Sequence, residues 1–148
     1  MEITKILWPT DFSGNAEKAL DYVTSIGEKY QTEVHVMYVI EELGYHEPWY
    51  GEFDRSHIDE IHDWERKTAE KRLNEVCENY LKGCPMFIKH VAIGDPAQEI
   101  LNLADQEEVD MIVMASRGRK GQFHFGSVAE KVLKNSTRPV VTIPVPRT

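Results

Sequence analysis

The chain is short of cysteine, of long apolar runs and of basic charge. Its two cysteines, Cys77 and Cys84, are too sparse for a disulfide framework and lack the C-x-x-C spacing of a metal or redox pair. No apolar stretch approaches the ~18 residues that a membrane-spanning helix needs. Acidic residues outnumber basic ones 25 to 17, and the formal net charge of −8 argues against a broad nucleic-acid-binding face. Several catalytic signatures are missing too: no G-x-x-x-x-G-K-[ST] loop, no G-x-S-x-G elbow and no H-E-x-x-H pair occurs. His57 and His62 stand five apart, which does not place both on one helix face, so they earn no metal assignment. Met1 runs directly into an apolar strand pattern, so the expected compartment is the cytoplasm, with reduced cysteines.

What is present is a steady alternation of strand and helix patterns. A length of 148 residues suits one domain, expected to span 1–148. Strands are expected at 3–8 (ITKILW), 33–40 (EVHVMYVI), 86–93 (MFIKHVAI), 110–115 (DMIVMA) and 139–143 (PVVTI). Helical spacing of apolar residues predicts helices at 15–30, 56–81, 96–104 and 127–135. In the second of these, Ile58, Ile61, Trp64, Ala69, Leu73, Val76 and Tyr80 form the expected inward stripe. Segment 41–55 is irregular and holds Tyr45, Trp49, Tyr50 and Phe53; it is expected to pack over the site or a partner, or to wander on the surface. Alternating elements favour an α/β fold, an open parallel sheet with helices on both faces.

Ligands of such sheets bind beyond the carboxyl ends of the strands, where the strand order reverses. Two loops there are informative. Pro9, Thr10 and Asp11 follow the first strand, and the run ASRGRKGQFHFGS follows the fourth. The second loop holds Gly118, Gly121 and Gly126 before a helix opening near Ser127, with Arg117, Arg119 and Lys120 as local cations. Glycines admit close approach of a phosphate, and the first amides of a helix attract anions. The same residues allow a plainer account: Ser127-Val128-Ala129-Glu130 reads as a capping box, and Asp11 as a turn former or helix cap.

The stretch MASRGRKGQFHFGSVAEKVLKNSTRPVVTIPV resembles the carboxy-terminal signature of the universal stress protein family, and ILWPTDFSGNAEKAL resembles its opening. EVHVMYVI and AIGDPAQEIL sit where its second and third strand regions belong, so the resemblance covers the chain apart from 41–55. It implies five parallel strands in order 3-2-1-4-5, Rossmann-like, with the reversal between strands one and four. It implies binding of an adenine nucleotide, ATP or AMP with or without Mg2+, and a homodimer formed through the last strand; the motif loops offer no obvious water-activating residue, so ATP hydrolysis is expected to be slow at most.

The nucleotide-binding branch of the family carries G-x2-G-x9-G-[ST]. Here Ala115 stands at the first glycine, Gly118 at the second and Gly126-Ser127 at the end, with seven residues between Gly118 and Gly126. By the resemblance, Asp11 would face ribose and adenine on a turn shaped by Pro9 and Thr10. Val39 would meet the adenine edge through its backbone, and Met114 would flank base or ribose. Gly118, Gly126, Ser127 and Val128 would surround the phosphates, with Arg117, Arg119 and Lys120 as loop cations. Ala115 and the shortened loop support the competing expectation, a nucleotide-free dimeric scaffold.

Overall fold

The computed structural model describes residues 2–41, 55–80, 86–117 and 126–145. The elements are β1 (Lys5–Pro9), α1 (Gly14–Glu17), α2 (Leu20–Tyr30), β2 (Glu33–Glu41), α3 (Arg55–Tyr80), β3 (Met86–Gly94), α4 (Pro96–Gln106), β4 (Met111–Ala115), α5 (Ser127–Asn135) and β5 (Val140–Ile143). Adjacent strands are parallel, in the order β3-β2-β1-β4-β5 expected from the family resemblance. Tyr45, Trp49, Tyr50, Phe53, Cys84, Gly118, Arg119 and Lys120 lie outside the described residues. Among the described residues no helix is long and apolar enough to cross a membrane.

Central strands explain the apolar runs. β1 sends Ile6 and Trp8 to one face, against Ala19, Leu20, Val23, Leu73 and Cys77 from the α2 and α3 layer. Leu7 goes to the other face, against Ala97, Ile100 and Ala104 of α4 and Ala129 and Val132 of α5. β4 divides the same way, with Val113 on the first face and Ile112 and Met114 on the second. Both strands are thus buried on two sides, and each large side chain so buried contributes about 1.5–3 kcal/mol.

At the amino-terminal edge, Asp110 staples β1 to β4. Its Oδ2 accepts from the Thr4 amide at 2.8 Å, the Thr4 hydroxyl at 3.0 Å and the Lys5 amide at 2.9 Å. Burial pushes this carboxyl up, but those bonds and the nearby Arg138 charge outweigh it and hold the pKa below the ordinary value.

At the other end the two strands separate. β1 pairs with β4 only at Ile6–Met111 and Leu7–Ile112, whereas it pairs with β2 along its whole length. Pro9 accounts for the stop. The Thr4 carbonyl and the Thr10 amide both bond toward β2, and the Lys5 carbonyl bonds toward β4. By strand alternation the backbone nitrogen of Pro9 faces β4, and a proline has no proton there to donate.

Two expectations need correcting. The helix expected over 15–30 is broken into α1 and α2 at Lys18 and Ala19. There the amides reach back three residues rather than four, to Asn15 and Ala16, which tightens the chain into a turn. The inward stripe expected on α3 holds only for its carboxy-terminal part. Ala69, Leu73 and Cys77 are buried, but Ile61 is 52% and Trp64 67% exposed. A helix of 26 residues is about 39 Å long and the nine-residue strands it covers about 30 Å, so its first turns overhang the sheet.

One buried polar chain ties β2 to the edge strand β3. His35 is fully buried, and its Nδ1 lies 2.8 Å from His90 Nε2. Glu33 Oε1 lies 2.9 Å from the other His35 nitrogen, close enough for charge attraction but without the alignment of a good hydrogen bond. Burial and the neighbouring His35 hold His90 below its ordinary value of 6.5, against opposing pulls from Glu107 and Glu33. His90 is therefore neutral in the fold where the unfolded chain already takes up a proton. The stability that comes from keeping His90 neutral is full above 6.5 and is lost as pH falls from there toward the lowered folded value. Urea midpoints measured between about pH 8 and about pH 5 should fall on the acid side, and His90→Gln, which keeps a donor but does not titrate, should flatten that fall.

Candidate functional site

The carboxyl end of β1 leads into a turn built from its own side chains. Thr10 is buried, and its amide donates to the Met37 carbonyl of β2 at 2.8 Å. Its hydroxyl accepts from the Phe12 amide at 3.0 Å. Asp11 Oδ1 accepts from the Ser13 amide at 2.9 Å, and Ser13 Oγ caps α1 through the Ala16 amide at 3.1 Å. Phe12 itself has φ of 63°, the left-handed region that a bulky residue rarely enters. The turn-forming role of Asp11 is thus realised, and its half-buried carboxylate is fixed at the end of β1.

Across the gap, β4 ends in Met114 and Ala115, both buried. The next residue closes the loop that follows: the Ser116 amide donates to the Ile143 carbonyl at 2.9 Å, and its carbonyl accepts from the Gly126 amide at 2.7 Å. This pins both ends of the glycine loop, and Arg117 starts from that anchor, half-buried. Gly118, Arg119 and Lys120 fall outside the described residues.

The helix start differs from the capping box read in the sequence. Gly126, not Ser127, is the N-cap, and no side chain bonds there. The first helical bond runs from the Glu130 amide to the Gly126 carbonyl at 2.9 Å. Ser127 becomes the first helical residue. Glu130 reaches forward to Lys134 at 2.8 Å instead of back to the cap, and that hydrogen bond and charge lower its pKa. The amides of Ser127, Val128 and Ala129 precede the first helical bond and have no acceptor within the helix.

The ends of β1, β2 and β4 share one hydrophobic cluster with α5. Val39 and Val128 pack against the same cluster that contains Leu7, Met37 and Met114. Pro9, Thr10, Asp11, Val39, Met114, Ala115, Gly126, Ser127 and Val128 therefore come from the ends of three central strands and one helix. Val39 and Val128 are half-buried members of that group, and Val128 lies in the first turn of α5. Sequence reasoning passed over Ser116, whose role rests on its backbone and leaves no side-chain signal. It also passed over Tyr38 and Arg72, which flank the Phe12 ring.

A sequence model of the Universal stress protein family matches residues 2–144. The chain belongs to the universal stress protein family. Universal stress protein MJ0531 of Methanocaldococcus jannaschii is 30% identical over 148 residues, spanning 97% of this chain and 83% of that relative. Universal stress protein YxiE of Bacillus subtilis is 31% identical, spanning 94% and 97%. The solved structure of MJ0577 superposes with a TM-score of 0.88 at 27% identity and covers both chains in full. Two more distant universal stress protein structures share the fold: one is a complex with cAMP, at TM-score 0.66 and 17% identity over 97% of this chain and 98% of that one. The other, from Archaeoglobus fulgidus, is a complex with dAMP, at TM-score 0.64 and 23% identity over 97% and 99%.

The helix starts make a stability comparison possible. Asp95 caps α4, its Oδ2 accepting from the Gln98 amide at 3.0 Å. Asp95→Ala should cost about 1 kcal/mol in chemical denaturation. Ser127→Ala, at a first helical position with a glycine cap before it, should cost less than about 0.5 kcal/mol.

Proposed function

We propose that this universal stress protein is a cytoplasmic regulatory protein that binds an adenine nucleotide, ATP or AMP, across the ends of β1 and β4. The observation that carries this reading is the early end of the β1–β4 ladder beside the half-buried Val39 and Val128, at the start of α5. A base fits an apolar platform beside main-chain groups, and an anion fits helix amides. Asp11 on its fixed turn faces the ribose and adenine, with Pro9 and Thr10 shaping the approach. Val39 meets the adenine edge through its backbone and Met114 flanks base or ribose. Gly118, Gly126, Ser127 and Val128 surround the phosphates, Arg117, Arg119 and Lys120 add cations, and Mg2+ would accompany ATP through its phosphates. Complexes of two family members with cAMP and dAMP support an adenine ligand. Residues 1–148 act as one unit in this reading.

A nucleotide-free scaffold is the second reading, favoured by Ala115, a buried residue where the binding motif has glycine. Calorimetric titration of ATP, AMP and adenosine separates the two. Wild type should bind ATP or AMP, and Gly126→Val should weaken ATP about tenfold or more while leaving adenosine nearly unchanged. Arg119→Ala with Lys120→Ala should also weaken ATP more than adenosine. If the folded Gly126→Val variant binds ATP like wild type, the phosphates do not sit at α5. If wild type binds none of the three ligands, the scaffold reading replaces the nucleotide one.

We also propose a homodimer through β5, the sheet edge opposite β3. Val141 on that strand is 36% exposed and Leu133 on the adjoining α5 is 48% exposed. An open strand edge bearing apolar side chains invites pairing. Light scattering at micromolar protein should report a dimer for wild type and a monomer for Val141→Lys.

A further inference from the structure

The turn that carries Asp11 contains a conformation that its own sequence does not favour. Phe12 is left-handed, with φ of 63° and a bulky side chain. Such a residue persists only where its surroundings over-determine it. The local bonds from Phe12 to Thr10 and from Ser13 to Asp11 supply part of that determination. The rest comes from the ring. Phe12 stacks on Tyr38 of β2, with ring centroids 4.7 Å apart and planes 28° apart. The Arg72 guanidinium of α3 lies over the Phe12 ring, 4.4 Å from its centre. Tyr38 belongs to a strand paired on both sides, and Arg72 precedes Leu73, which is fully buried. The ring is therefore contacted by a strand and a helix that do not belong to the turn.

We propose that Arg72 is a positioning residue for the nucleoside end of the site: by holding Phe12 on Tyr38, it keeps the Asp11 turn in its binding conformation. The ligand part of this inference rests on the nucleotide reading above; the turn part does not. A small cleft of about 180 Å³ beside the stack is lined by Phe12, Glu17, Arg72, Glu75, Val76 and Asn79. Among the described residues no salt bridge joins Arg72 to Glu17 or Glu75, and its guanidinium lies over the Phe12 ring. A guanidinium is suited to this, because its planar, weakly hydrated face stacks on an aromatic ring where an ammonium does not. The arrangement couples α3 to the loop after β1 without touching the ligand.

Amide hydrogen exchange in the ligand-free protein tests the turn directly. Arg72→Ala should speed exchange of the Phe12 and Ser13 amides about two- to fivefold, with the Leu7 and Val36 amides of the central strands unchanged. Phe12→Leu, which keeps apolar bulk but removes the aromatic face, should speed the Ser13 amide similarly. The double variant should be no worse than the more affected single one. In titrations, Arg72→Ala should weaken adenosine and ATP by the same factor, unlike changes at the phosphate end. Unchanged exchange at Phe12 and Ser13 in Arg72→Ala overturns the proposal, as does faster exchange spread evenly through the sheet. If wild type binds neither adenosine nor ATP, the nucleotide reading falls, and the exchange result still decides whether Arg72 sets the turn.

Discussion

The contact between β1 and β4 is the constraint on which the rest of this molecule depends. Two residue pairs, Ile6–Met111 and Leu7–Ile112, join the β3-β2-β1 half of the sheet to the β4-β5 half. Asp110 reinforces the join at one end through three hydrogen bonds. Pro9 ends it at the other, because no amide is available there to continue the ladder. Tight closure below and separation above follow from the same short seam. Both helical layers pack against it, one on Ile6, Trp8 and Val113, the other on Leu7, Ile112 and Met114.

Much of this was legible in the sequence because it follows from burial on two faces. The runs KILWP and MIVMA are apolar without alternation, which marks central parallel strands. The PTDFS turn and the glycine loop stand at the ends of those same strands, so the candidate region could be located from pattern and resemblance. The misreadings share a cause, which is that local pattern carries no information about distant partners. Ser127 looked like a cap because Ser-x-x-Glu is a local signature; the helix spans the expected 127–135, but its cap is Gly126, whose amide bonds to the distant Ser116 carbonyl. Ile61 and Trp64 fit a helical period, but periodicity does not reveal where the sheet beneath a helix ends.

The His35–His90 contact shows another limit of the same kind. Each histidine sits in an ordinary strand pattern, 55 positions apart, and only strand register brings them together. The Tyr38–Phe12–Arg72 stack is similar, joining a strand, a turn and a helix from three separate stretches of chain. Side chains of this class support the geometry of the site without belonging to any motif.

The position of β1 has a consequence for how the chain is made. Of the five strands in this sheet it is synthesised first, yet it lies at the middle of the finished sheet. Its β2-facing side can be satisfied early, but the bond from Thr4 to Asp110 spans 106 positions. At about 5–20 residues per second, the β4-facing side of β1 waits several seconds or more after β1 itself is made. Throughout that interval the β4-facing backbone edge of β1 lacks the strand that pairs with it in the finished sheet. Late, long-range closure of a central seam makes such topologies slow folders, and it exposes the growing polypeptide to association with its neighbours before the sheet is complete.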